Sequence, residues 1–231
     1  LLGYDGIVLG NSADMPVMEI EKSQIFLALA AQTPAPVDGE GEFIVDEAGA
    51  LLPGRSFADA QALSCERFVT NPYSRWSDID PALPDQRIEV FGPPPTSGTR
   101  DAFVELGMFL GARQIECLDA MHDADLARFE GLASRLREDG AWVDAGENDN
   151  AIVQTLANTP TAFGVFGYSF LEQNGDRIHG SVVGGVEPTY DAISSGEYPI
   201  SRSLFLYVKN QHVGVTPGIE AFIEELTSED A

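Results

Sequence analysis

At 231 residues, with 44% hydrophobic and 9% aromatic content, the chain is long enough to bury a core as one large domain or two small ones. Its 37 acidic residues outnumber 13 basic ones, and the resulting net charge of -24 repels nucleic acid and anionic lipid, so no nucleic-acid partner is expected. No stretch approaches the ~20 continuous apolar residues that span a bilayer, which predicts a soluble protein.

The chain opens on Leu-Leu-Gly-Tyr-Asp-Gly-Ile-Val-Leu, with no secretion signal, and reads as a core strand entered midway, as in a cut piece of a longer protein. The apolar run at residues 6–9 predicts a strand and the polar residues 11–14 a loop. Residues 19–32 predict a helix with Ile25, Phe26, Leu27 and Leu29 on its apolar face, ended by Pro34 and Pro36. Residues 37–65, Gly-rich and acidic, read as an inserted excursion with a hairpin near 43–45 and a turn at 46–49. Aromatic residues between 71 and 81 predict a loop with a short helix, and 87–91 a strand.

A Gly/Pro turn follows, and then Ala102, Phe103, Leu106, Met108 and Phe109 recur at helical spacing. Further helices are expected over 125–137, 150–157, 190–194 and 218–226, and strands at 142–143, 162–166, 180–183 and 203–208, with 167–173 as a connection. Strands alternating with helices argue for an α/β protein.

Cys65 and Cys117 lack the closely spaced partners of a zinc site, and His122, His179 and His212 are scattered, so no metal and no cofactor is expected. The two cysteines are either one disulfide, worth about 4 kcal/mol in the chain-entropy model, or two buried thiols.

The segment richest in chemistry is Thr96-Ser97-Gly98-Thr99-Arg100-Asp101. Gly98 permits close backbone approach, Ser97 and Thr99 add hydroxyls, and the helix that opens here presents unpaired amides to an anion. Arg100 can add a forked donor set. A plain Ser/Thr N-cap with a solvated Arg is the alternative. The spacing of a nucleotide-binding P-loop is absent. Ser97 could also serve as the nucleophile of a secreted phosphoester hydrolase, although no Gly-x-Ser-x-Gly elbow surrounds it.

In Gly146-Glu147-Asn148-Asp149-Asn150, acids and amides crowd a helix start, either as caps or as the polar wall of a cleft. There Asp149 or Glu147 could accept the hydrogen bond of a protonated phosphate oxygen and meet fully ionised sulfate with a lone-pair clash. Downstream, Tyr198-Pro199-Ile200-Ser201-Arg202 leads into an apolar strand, with Arg202 either locking lobes together or forming an ion pair behind the site.

These segments, together with Phe163-Gly164-Val165-Phe166-Gly167-Tyr168, occur in an order that resembles the phosphate-binding subunit of bacterial phosphate ABC transporters. The resemblance runs from residue 3 to 225, apart from the 37–65 excursion. It implies a type II periplasmic-binding-protein fold, two α/β lobes with a ligand cleft between them: residues 1–88 as a partial lobe I, 89–178 as lobe II and 179–231 returning to lobe I.

It also implies a receptor, not an enzyme, that binds inorganic phosphate and hands it to an ABC transporter permease, as a monomer in the periplasm or anchored by lipid outside the cytoplasm. Ser97, Gly98 and Thr99 fall on the family's Ser-Gly-Thr loop. Many members place an Arg four residues before that Ser; here the position is Pro93, so Arg100 is expected to supply the cation. Thr96, Asp101, Asn148 and Asp149 complete the expected site, and a receptor for sulfate or phosphonate is the alternative within the fold. The family's N-terminal segment, with its own phosphate loop, has no counterpart here.

Overall fold

A computed structural model describes residues 2–228. Strand β1 (Gly3–Ser12) is followed by β2 (Glu19–Ile20), helix α1 (Lys22–Leu29), β3 (Gln32–Val37), β4 (Ala62–Thr70), α2 (Trp76–Ile79) and β5 (Val90–Gly92). Helix α3 (Gly98–Phe103) continues through π-helical turns at Val104–Phe109 into α4 (Leu110–Ala112). Then come α5 (Glu116–Ala124), α6 (Leu126–Ala133), β6 (Trp142–Asp144), α7 (Asp149–Asn158), β7 (Phe163–Gly167) and α8 (Tyr168–Gln173). The chain closes with β8 (Ile178–Gly180), β9 (Val182–Val183), α9 (Tyr190–Ser194), β10 (Ser201–Leu204) and α10 (Ile219–Leu226).

The main sheet has the order β10-β1-β7-β5-β6, with β8 also paired to β1. Strands β5, β6 and β7 are mutually parallel, and β1 runs against them through the register Ile7–Gly167 to Asn11–Phe163. Residues of all three expected segments, 1–88, 89–178 and 179–231, therefore meet in one sheet. They also meet in one core, which runs from Ile7 through Phe103 and Trp142 to Ile200. The cause is β1: Ile7, Val8 and Leu9 are fully buried, and a strand covered on both faces pairs where it can satisfy its backbone.

Helix α1 is shorter than the expected 19–32, because its last carbonyls are captured one by one. Asn71 Nδ2 donates to the oxygens of Leu27 and Ala30, both at 2.7 Å. Arg137 donates from Nη1 to Ala28 at 3.1 Å and from its backbone N–H to Leu29 at 2.9 Å. With four C-terminal acceptors satisfied, the chain is free to turn into β3. Pro34 and Pro36 lie inside that strand; β3 pairs with β4 on one edge, and the other carries only local bonds to Phe43 and Ile44, so a missing N–H is tolerated there.

The 37–65 excursion closes as β3 and β4 zip together, around a small core of Ala35, Ile44, Val45 and Val69, and the expected turn forms as Asp46 caps residues 48–50. Cys65 and Cys117 are joined, tying β4 to α5. Residues 167–173, expected as a connection, form α8. The strand expected at 203–208 ends at Leu204. Beyond it the apolar side chains stand in solvent, with Phe205 55%, Tyr207 87%, Val215 76% and Phe222 61% exposed. Among the described residues no helix is long and apolar enough to cross a membrane.

Candidate anion site

Three parallel strands end at one edge of the sheet, and each is followed by a helix: β5 by α3, β6 by α7, β7 by α8. The carboxyl edge of such a sheet thus gathers three helix N-termini, each with unpaired amides and the positive end of its dipole. Gly92, which ends β5, allows this convergence; a Cβ there would sit 2.1 Å from the Trp142 ring of neighbouring β6.

Ser97 is the N-cap of α3, and its Oγ accepts from the Thr99 N–H at 3.2 Å. The N–H groups of Gly98 and Arg100 have no such partner among the described residues and remain available to a ligand. Thr96, just upstream, donates its hydroxyl to Glu147 Oε1 and so ties the loop before α3 to the loop before α7. Asn148 caps α7, its Oδ1 accepting from the Asn150 N–H at 3.0 Å. Asp149 Oδ2 accepts from the Gly167 N–H, at the start of α8, at 3.2 Å. Asp101 is exposed on the first turn of α3.

Arg100 is held at the Asp144 side of the loop, its Nη1 also 3.5 Å from the Pro93 carbonyl. Its Nη1 pairs with Asp144, and its guanidinium lies 5.3 Å from the centroid of Trp142, whose Nε1 donates to the same Asp144 oxygen at 2.8 Å. The cation beside Gly98 is instead Arg202, brought by β10. Its Nη1 donates to the Gly98 carbonyl at 3.0 Å, while Nε and Nη2 grip Asp5 Oδ2 at 3.1 and 3.0 Å. Antiparallel pairing sets Asp5 directly opposite Arg202, a register that a lone Arg in an apolar strand does not announce in the sequence. Asp5 was missed for the same reason: its partner is 197 residues away.

Burial pushes the Asp149 carboxyl above its ordinary value, the Gly167 N–H opposes this, and the charges of Asp5 and Glu147 push it further up. The edge therefore combines free amides, hydroxyls, one guanidinium and a carboxyl whose pKa is raised. A cavity of about 290 Å³ opens beside it, lined by Asp5, Tyr168, Tyr190 and Ser194 among others. A larger groove of about 880 Å³ runs along α3 and the helical turns that follow it, with Pro95, Arg100 and Asp101 among its lining residues.

The chain has relatives among known proteins. The phosphate-binding protein PstS of Staphylococcus haemolyticus is 29% identical over 160 residues, 67% of this chain and 42% of that protein. PstS of Bacillus subtilis is 25% identical over 187 residues, 81% of this chain and 51% of that one. The chain thus spans about half or less of the length of these curated relatives. Among solved structures, a possible phosphate binding protein from Planctomyces limnophilus superposes with a TM-score of 0.60 at 23% identity, over 99% of this chain and 61% of that one. PstS from Borrelia burgdorferi gives 0.55 at 16% identity, over 99% and 65%. The fold is that of type II periplasmic binding proteins. With the model of the PBP superfamily domain matching residues 1–230, the chain belongs to that family.

Proposed function

We propose that this chain supplies one wall of an oxyanion clamp whose ligand is inorganic phosphate, in a receptor that delivers it to an ABC transporter permease. The observation that carries this reading is the meeting of three helix N-termini at one sheet edge, with Ser97, Gly98 and Thr99 opening the first and Arg202 held against Gly98. Amide hydrogens and a guanidinium suit a tetrahedral dianion at contact range. The overall charge of -24 does not oppose them, since surface charge is screened beyond a Debye length of about 8 Å. The Staphylococcus and Bacillus relatives are named as phosphate-binding proteins, which supports phosphate as the anion.

Asp149 suits phosphate over sulfate: as a carboxylate it accepts a hydrogen bond from a hydrogen phosphate, whereas sulfate at neutral pH carries no proton to donate. The reading is of a receptor, not an enzyme: among the described residues no side chain accepts the Ser97 hydroxyl proton as a general base would, and its Oγ receives the Thr99 N–H. The large apolar side chains beyond Leu204 suit contact with a second lobe, so that residues 3–204 form the lobe described here and the clamp closes between the two. The disulfide fits an oxidising compartment, periplasmic or otherwise outside the cytoplasm, where a monomeric receptor would work.

Calorimetric titration of the protein with phosphate and with sulfate tests this. Phosphate binding in the micromolar range or tighter, weakened by Ser97→Ala and by Arg202→Ala but little by Arg100→Ala, is expected. Equal binding of sulfate would make the protein a receptor for another oxyanion, and turnover of a phosphoester dependent on Ser97 would make it a hydrolase.

A further inference from the structure

The helical stretch from Gly98 to Ala112 has two unlike faces. One is packed so closely on α1 that a Cβ at Gly111 would stand 2.1 Å from the Lys22 carbonyl oxygen. The other borders the groove of about 880 Å³ that this stretch shares with α6. Its floor is apolar, formed by Val104, Phe109, Leu110 and Leu136, and the residues between 104 and 109 are π-helical, a local widening often found at functional positions.

The rim has one sign. Asp101, Glu105 and Glu130 are exposed, and none is ion-paired among the described residues. The cation that reaches the groove, Arg100, is already neutralised by Asp144. An acidic rim alone follows from a chain with 37 acids and 13 bases. A trough of this size between two helices, with apolar side chains along part of its lining and free carboxylates at its fringe, does not follow from composition; it is complementary to a segment with an apolar stripe and a basic border.

We propose that this groove docks a cationic amphipathic peptide segment, its apolar side chains on Val104, Phe109 and Leu110 and its Lys or Arg side chains toward Asp101, Glu105 and Glu130. An α-helix of about 14 residues, some 21 Å long, is of a length to lie along the 98–112 stretch.

The test is fluorescence anisotropy of a labelled leucine–lysine peptide of that length, patterned as an amphipathic helix, against a scrambled peptide of the same composition. The protein is used unaltered, as the double variant Glu105→Lys with Glu130→Lys, and as a control double variant Glu224→Lys with Glu225→Lys, whose sites are exposed on α10 and change the net charge equally. Thermal melts verify that both variants fold. The expected result is binding of the patterned peptide that the groove variant weakens about tenfold or more and the control leaves within about threefold, the scrambled peptide binding less well. Equal weakening by both variants would reduce the attraction to overall charge and overturn the proposal, as would equal binding of the scrambled peptide or no binding at all.

Discussion

Arg202 holds Asp5 through two nitrogens on a single oxygen, Nε at 3.1 Å and Nη2 at 3.0 Å, while its third nitrogen reaches the Gly98 carbonyl. The pair thereby fastens β10 and β1 to the first residue of α3, and places a negative charge among the carboxylates that face the sheet edge.

Replacing Asp5 with Asn removes that charge and keeps the shape. Because the Asp5 charge is one of the causes that raise the Asp149 carboxyl, the variant should lower the Asp149 pKa toward its ordinary value, read from carboxyl carbon shifts in an NMR titration. An unchanged Asp149 titration would remove Asp5 from the cluster. The pair is about two-thirds buried, so its loss should cost only about 1 kcal/mol of stability.

Asp149 itself supports a prediction whose sign is fixed by linkage. A carboxyl with a raised pKa in the folded state binds its proton more tightly there than in the unfolded chain, so its contribution to stability is fully present at acid pH and is lost as pH rises through the folded value. Asp149→Asn keeps an acceptor for the Gly167 N–H but does not titrate. The variant should therefore gain stability relative to the parent between acid and neutral pH, with the two melting temperatures converging in acid. A gap that widens toward acid would contradict the raised pKa.

Arg137 is 8% exposed and donates to the carbonyls of Ala28 and Tyr73 while its other nitrogens pair with Asp139. Arg137→Met keeps volume but leaves those carbonyls without donors, and should destabilise the protein by about 3 kcal/mol, measured by urea unfolding. A loss below about 1 kcal/mol would mean that water satisfies them.

Opening the Cys65–Cys117 link by Cys65→Ser with Cys117→Ser frees β4 from α5 across a separation of 52 residues. The chain-entropy model gives a loss of about 4 kcal/mol, and reduction of the unmutated protein should lower its melting temperature in the same direction. A melt indifferent to reductant would show that packing of the 32–70 hairpin alone secures it.

Much of this architecture is written locally. The apolar run at Ile7, Val8 and Leu9, the helical spacing from Ala102 to Phe109 and the acids and amides before α7 predict their elements because each signal lies within a few residues of the structure it specifies. The start of α3 is legible for the same reason, since an N-cap Ser followed by Gly is a local arrangement. What the sequence hides depends on distant partners. α1 stops because Asn71 and Arg137 reach its carbonyls, Pro34 and Pro36 sit in a strand because only one edge of β3 is laddered, to β4, and Arg202 rather than Arg100 lies beside Gly98 because β10 pairs with β1. Arg100 is nearer in sequence, but Asp144 and Trp142 outbid the loop for its charge.

The central claim is that the free amides at the start of α3 receive phosphate. Backbone amide shifts recorded by NMR as inorganic phosphate is added to the protein address it directly. Saturable shifts concentrated at Gly98, Thr99 and Arg100 and at Gly167, absent in Ser97→Ala, are the predicted result; shifts confined to other parts of the chain, or none, would contradict it.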